Sequence, residues 1–202
     1  MDTSLEHKII KMLMDDPALI LLLKNKYITE DMWKTCLEAE PSLIEYIDEP
    51  TEEMCLIVLS DSGSYLTFMI DNGYEITPEM IMTAIKTYPS IIFDLPSSMV
   101  NDFYIELALD VEISILSKLN KIPYKYVMNR LKKEPGIIRY IENPSDEMVM
   151  LAINTDINTC AHIKNFSPEI KEFIETQYSD MAPMLLAMHD DIESGDDIEW
   201  EE

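Results

Sequence analysis

The fragment Cys160-Ala161-His162 pairs a thiol with an imidazole two residues apart, a combination that could ligate a metal or form a nucleophile and its base. Zinc held structurally needs four ligands at recognisable spacings, and the only other cysteines, Cys36 and Cys55, do not supply them. The acidic stretch Asp190 to Glu202 is the next candidate, with eight carboxylates in thirteen residues. A calcium loop built on Gly195 as its sixth position would place Ile192 third, where an oxygen ligand is required. Glycine-rich phosphate loops, HExxH and a nucleophile elbow are all missing from the sequence. The expectation is a protein that is not an enzyme, with no catalytic residue, cofactor or metal.

Carboxylates in another pattern carry more information. Glu30, Asp31, Glu52, Glu53, Glu79, Asp102, Asp146, Glu147 and Glu169 each follow a hydroxyl residue or an asparagine by one to two positions. Ser, Thr and Asn cap helix N-termini, and acids favour the positive end of the helix dipole. The acids are therefore predicted in the first turns of helices. Between Tyr27 and Ile115 there are 18 acids and two bases, Lys34 and Lys86. Capping accounts for single acids, not for that total.

The elements that carry them recur. Thr29 opens TEDMWKTCL, Thr51 TEEMCLIVL, Thr77 TPEMIMTAI and Ser145 SDEMVMLAI; weaker copies begin at Leu5, Asn101, Pro123 and Ser167. The starts lie 24, 22, 26, 24, 22, 22 and 22 residues apart. Pro17, Pro41, Pro89 and Pro135 each stand twelve residues after a start, and an aliphatic pair such as Leu43–Ile44 or Ile137–Ile138 follows two residues later. A helix of about ten residues, a tight turn and a shorter helix make one unit, and neighbours must stack to bury it. The 26-residue interval leaves room for a longer loop at Asp71 to Glu75, and the Asn101 unit lacks the proline that marks the second helix. The expected fold is all-α, a solenoid-like stack of about eight short helical hairpins with a period of about 22–24 residues. It forms one domain over 1–188, followed by an acidic tail over 189–202.

In this register Cys160 takes the place of Ile44 and Ile138, and His162 that of Tyr46 and Tyr140, so both are read as core. Cys36, in the place of Val58, Ala84 and Ala152, is read as packing. Asp94 and Glu175 are the acids that fall nearest to core places.

The phrases NPSDEMVMLAI (Asn143 to Ile153), EPTEEMCLIVL (Glu49 to Leu59) and ITPEMIMTAIKTYPSIIF resemble a family of short helical-hairpin repeats of unknown function. That family occurs in proteins of bacteriophages, large viruses and some bacteria. The resemblance spans roughly Thr29 to Phe166. It implies stacked helices and a viral origin, and brings no catalytic residue.

With 39 acids against 15 bases the chain carries a net charge of −24, which repels nucleic acid and anionic membranes and favours basic surfaces. Many such surfaces exist to hold DNA or RNA. Three cysteines without close pairing point to a reducing, cytoplasmic setting, the host cytoplasm for a viral protein. No signal segment is apparent at the N-terminus, and the greasiest run, Ala18 to Leu23, is too short to span a bilayer. That ALILLL run is a candidate dimer contact.

One segment runs the other way: Lys118, Lys121, Lys125, Arg130, Lys132, Lys133 and Arg139 stand against Glu134 alone. It is expected to pair with acidic neighbours or with a second copy rather than with nucleic acid. The functional expectation is a non-enzymatic binding protein, a phage- or virus-encoded inhibitor that occupies the nucleic-acid-binding surface of a host defence or transcription protein. The contact would use Glu30, Asp31, Glu52, Glu53, Glu79, Asp102, Asp146 and Glu147, with Asp196, Asp197 and Trp200 of the tail. The alternative is a scaffold module gripping a peptide or helix through an apolar face.

Overall fold

The computed structural model describes residues 3–193, with side chains described for 5–24 and 26–187. All regular structure among these residues is helical, with no strand. No helix is long and apolar enough to cross a membrane. The chain divides into two compact units, Met1–Glu112 and Ile113–Glu202.

The first unit contains α1 (Thr3–Asp15), the 3-10 helices η1 (Pro17–Leu22) and η2 (Asn25–Tyr27), α2 (Glu30–Ala39), η3 (Pro41–Tyr46), α3 (Glu52–Asp61), α4 (Tyr65–Asp71), α5 (Pro78–Thr87), η4 (Pro89–Phe93) and α6 (Asp102–Val111). Here α1 packs on α2, α2 on α3, α3 on α5 and α5 on α6. The second unit contains η5 (Ile113–Lys118), α7 (Tyr124–Leu131), η6 (Pro135–Tyr140), α8 (Asp146–Thr155), η7 (Ile157–His162), α9 (Pro168–Gln177) and α10 (Ala182–Glu193). In it α7 packs on α8, α8 on α9, and α10 on both α9 and η7.

Seven of the α-helices, α2, α3, α5, α6, α7, α8 and α9, start where a repeat phrase starts. Thr29, Thr51, Thr77, Asn101, Ser145 and Ser167 are N-caps whose side chains accept the N–H of the residue three places on. That residue (Met32, Met54, Met80, Tyr104, Met148 or Ile170) is also buried, so a single position is both capped and packed. Pro123 caps α7 without a side-chain bond, and Leu5 lies inside α1.

The second half of a unit is shorter than an α-helix would be. Glu40, Tyr88 and Glu134, each preceding a proline, hold φ/ψ of −142°/86°, −142°/79° and −134°/72°, outside the helical region as a pre-proline residue must be. The proline then begins a 3-10 helix of five or six residues. Ordering six residues costs about 6–12 kcal/mol, against about 3–6 kcal/mol from two buried aliphatics, so these segments form only as part of the packed hairpin. Proline is not essential to the turn. η5 and η7 form without it, and at η7 the Asp156 side chain accepts the Asn158 N–H at 3.0 Å. The longest interval carries α4 instead, and its following loop turns at Gly73 with φ +75°.

Cys36, Val58, Ala84 and Ala152 are all fully buried, as their shared register predicts. Two expectations fail. His162 is exposed, and its register mate Tyr46 is 63% exposed, because the 3-10 helix ends there. The next residue, extended at Ile47, Ile141 and Ile163, turns inward in its place. Asp94 and Glu175 are exposed as well, and the only polar residue fully buried among the described side chains is Thr159. At the chain's start, Leu5, Met12, Met14, Leu21 and Leu22 are exposed.

Candidate functional site

The N-terminal turns of successive helices meet in each unit, and the meeting is made by side chains. In the first unit Lys34 on α2 reaches Glu30 of its own helix at 2.9 Å and Glu53 of α3 at 2.5 Å. Those two carboxylates, beside it, hold the Lys34 ammonium well above the usual lysine range. Glu52, next to Glu53, accepts the Thr77 hydroxyl of the α5 cap at 2.6 Å. The first turns of α2, α3 and α5 thus form one connected, solvent-facing line through Glu30, Glu53, Glu52 and Thr77. Asp31, Glu79 and Asp102 are exposed in the first turns of α2, α5 and α6, and no side-chain bond ties them to that line.

The second unit repeats the device. Ser167, the cap of α9, donates to Asp146 of α8 at 3.0 Å, and the Tyr124 hydroxyl at the start of α7 donates to Glu147. Glu147 also raises the Tyr124 phenol above its ordinary value. Glu169 is exposed in the first turn of α9. Asp196, Asp197 and Trp200 lie outside the described residues.

The Thr77–Glu52 and Ser167–Asp146 bonds each border a cleft. That of the first unit, about 590 Å³, is bounded by Asp48, Glu49, Glu52 and Glu75, with Cys55 and Met80 also lining it. No base lines it. The corresponding cleft of the second unit, about 700 Å³, is bounded by Arg139, His162, Lys164, Glu142, Asn143 and Asn165 over Ile141, Val149, Ile163 and Phe166. Glu52, Cys55 and Thr77 correspond in register to Asp146, Val149 and Ser167. One scaffold position therefore carries four carboxylates and no base in one unit, and two carboxylates (Glu142 and Asp146) with Arg139, Lys164 and His162 in the other. Both units are acidic, the first more so: Met1–Glu112 holds 22 acids against six bases and Ile113–Glu202 holds 17 against nine, with eight of those 17 in residues 190–202.

Of the basic segment, Arg130 pairs with Glu134 at 3.0 Å and Arg139 lies over the Tyr140 ring. Lys118, Lys121, Lys125, Lys132 and Lys133 are exposed and have no acidic partner among the described residues, where the expected neutralisation by neighbours is confined to one i, i+4 pair.

Among the described residues, no group of three or more His, Cys, Asp or Glu is placed to hold a metal ion. Cys36, Cys55 and Cys160 are buried, and burial pushes each thiol up to about 11, away from the thiolate that a nucleophile needs.

No motif marks Asp48, Glu49, Glu75 or Lys164, whereas His162 and Arg139 stand out in the sequence for other reasons, in the Cys160-Ala161-His162 fragment and in the basic segment. The signal was present in the register: the three residues before each start line its cleft, and they read DEP before Thr51 but ENP before Ser145. No known protein family, curated protein or solved structure matches the chain.

Proposed function

We propose that this chain is a non-enzymatic, acidic binding protein whose first unit presents the N-terminal turns of a solenoid-like helical stack to a basic partner. The observation that carries this reading is the connected line from Glu30 through Glu53 and Glu52 to the α5 cap, in a unit with 22 acids and six bases. Capping and dipole effects account for about 0.3–1 kcal/mol per acid and do not require such an excess. Adjacent clefts add Asp48, Glu49 and Glu75 to the same region. Carboxylates spaced along an edge stand in for phosphates, steer a basic partner by long-range attraction and make association salt-sensitive. The partner class is a nucleic-acid-binding protein, such as a host defence or transcription factor. The resemblance of the repeat phrases to viral helical hairpins supports a virus-encoded inhibitor acting in host cytoplasm.

The test is capture of partners from host lysate at low salt, with elution by salt and, separately, by duplex DNA. The reading expects captured proteins to be nucleic-acid binders that DNA displaces, and capture to be lost on Glu52→Lys with Glu53→Lys. Retention through high salt, with indifference to both DNA and charge reversal, would reject it and favour the scaffold reading. A second reading, self-association, is favoured by the exposed Leu5, Met12, Met14, Leu21 and Leu22. Sedimentation over a concentration series, with Leu22→Lys as comparison, decides that point.

A further inference from the structure

We propose that the outer groove between α2 and α3 is the docking site for a basic amphipathic helix of a partner protein. The groove, about 460 Å³, is lined by Glu38, Glu53, Leu56, Ile57, Ser60 and Asp61, with no base among them. All but Glu38 lie on α3 at i, i+3, i+4, i+7 and i+8, a complete helical stripe. It is distinct from the stripe that packs inward, where Met54, Cys55, Val58 and Leu59 are buried. Helix α3 therefore carries aliphatic side chains on two faces, although one face suffices to join it to the core. Leu56 and Ile57, both half-buried, are the apolar part of the groove. On α2 the same register places hold Lys34 and Thr35, so the scaffold does not require aliphatic residues there.

The charges around the groove identify its occupant. Glu53 is already held by Lys34 at 2.5 Å. Glu38 and Asp61 lie in the last turns of α2 and α3, and neither pairs with a base among the described residues. An acid in the last turn opposes the helix dipole, so the stability of its own helix explains neither residue. Lys86, the register mate of Glu38 on α5, has the charge that the dipole favours. Glu38 and Asp61 thus suit cationic side chains brought by another molecule, beside an apolar contact at Leu56 and Ile57. Glu53 and Asp61 are about 12 Å apart along the axis at 1.5 Å per residue, a little over two turns. A helix laid in the groove matches that span with apolar anchors at i, i+3, i+4 and i+7 and basic residues over the rim. Addition of an extended peptide to a sheet has no edge to use, since no strand occurs among the described residues. Such docking rests on the basic partner proposed for the first unit, and names which element of that partner is held.

The experiment measures binding of three dye-labelled peptides to the full chain by fluorescence anisotropy at one low ionic strength. The first is a lysine–leucine peptide of about 18 residues, long enough to hold a helix, with leucines at i, i+3, i+4 and i+7. The second has the same composition with the helical spacing scrambled, and the third has serine in place of every leucine. Expected is that the first binds about tenfold tighter than either of the others. Leu56→Gln with Ile57→Gln should erase that difference and leave the lysine–serine peptide bound as before. Glu38→Gln with Asp61→Gln, both at exposed positions, should weaken the first peptide by about two- to fivefold without disturbing the fold. Equal binding of the three peptides by the parent chain, or a preference that survives both double variants, would overturn the groove and leave the acidic edge standing. Loss of the lysine–serine peptide on Glu52→Lys with Glu53→Lys tests that edge separately. Absence of binding by all three peptides would overturn both.

Discussion

The Thr77 hydroxyl donates to the Glu52 carboxylate at 2.6 Å while accepting the N–H of Met80 at 3.3 Å. One oxygen thereby closes the N-terminus of α5 and ties it to the first turn of α3. Ser167 does the same between α9 and α8, donating to Asp146 and accepting from Ile170. Only a residue that both gives and takes a hydrogen bond fills this place. An aspartate, equal to serine as a simple cap, cannot donate to a neighbouring carboxylate.

Substitution at Thr77 separates the two roles. Thr77→Ser should be near neutral. Thr77→Ala should lose about 1 kcal/mol of stability through the cap. Thr77→Asp, although a good cap in isolation, should lose a comparable amount because it sets a second carboxylate against Glu52. Adding Glu52→Gln should relieve the aspartate variant and leave the alanine variant unchanged. Urea unfolding of the six proteins gives the comparison, and an aspartate variant as stable as the parent would refute the two-way role.

How far the sequence reveals this arrangement depends on the distance over which residues act. The caps are legible because each is local: a hydroxyl at the start, an acid in the turn, a buried residue three places on, as at Thr51 and Met54. Inward positions shared by several units are legible too, as for Cys36 and Ala84. His162 was misread because the helical period was extended past the end of a 3-10 segment, where the chain is already extended. The bonds from Thr77 to Glu52 and from Lys34 to Glu53 join residues 25 and 19 positions apart. No local pattern announces them; only the register of neighbouring units does. The differing charges of the two clefts are written in single residues, Glu75 against Asn165 and Tyr74 against Lys164, which fall in loops where no periodicity directs attention.

Glycines give a second prediction, and they differ in cause. A Cβ on Gly63 would come within 2.1 Å of the Ala84 carbonyl oxygen, and the obstruction is backbone. Gly63→Ala should therefore cost about 1–3 kcal/mol or more by overpacking α5. Gly73 has open space but φ +75°, so Gly73→Ala should cost about 1–2 kcal/mol through conformation alone. Gly136 has neither constraint, and Gly136→Ala should be neutral or stabilise by up to about 1 kcal/mol. Thermal unfolding orders the three; an unaffected Gly63→Ala would show that the turn between α3 and α4 does not approach α5 so closely.

Lys34 is the one base in the line of first-turn acids, and its removal distinguishes stability from binding. Its pairs with Glu30 and Glu53 are largely solvent-exposed on the acidic side and screened by water, so Lys34→Gln should leave stability nearly unchanged. The edge becomes more negative by one charge. For a cationic group about 10 Å away in water, that is about 0.4 kcal/mol, a twofold gain in affinity. Titration with an oligolysine peptide at low ionic strength measures it. Weaker binding by Lys34→Gln would mean that the basic ligand sits elsewhere.

The three thiols provide a pH-dependent prediction. Burial is the main cause that pushes Cys36, Cys55 and Cys160 up to about 11 from an ordinary value of 9.0, with Glu40 and Glu52 adding to the first two. A group whose folded value is raised stabilises the fold fully below its unfolded value. As pH rises past 9 the unfolded chain ionises first and gains on the folded one, so stability falls until about pH 11, where the folded thiols ionise too. Alkylation with iodoacetamide at pH 8 should therefore be slow and should accelerate with urea in step with unfolding. Replacing all three with alanine should flatten the decline between pH 9 and 11 while lowering stability at neutral pH through lost packing. Rapid labelling of any one cysteine in the folded protein at pH 8 would show that its helix opens locally. Cys55, lining the acidic cleft under Glu52, is the position where such opening would bear most directly on the binding edge.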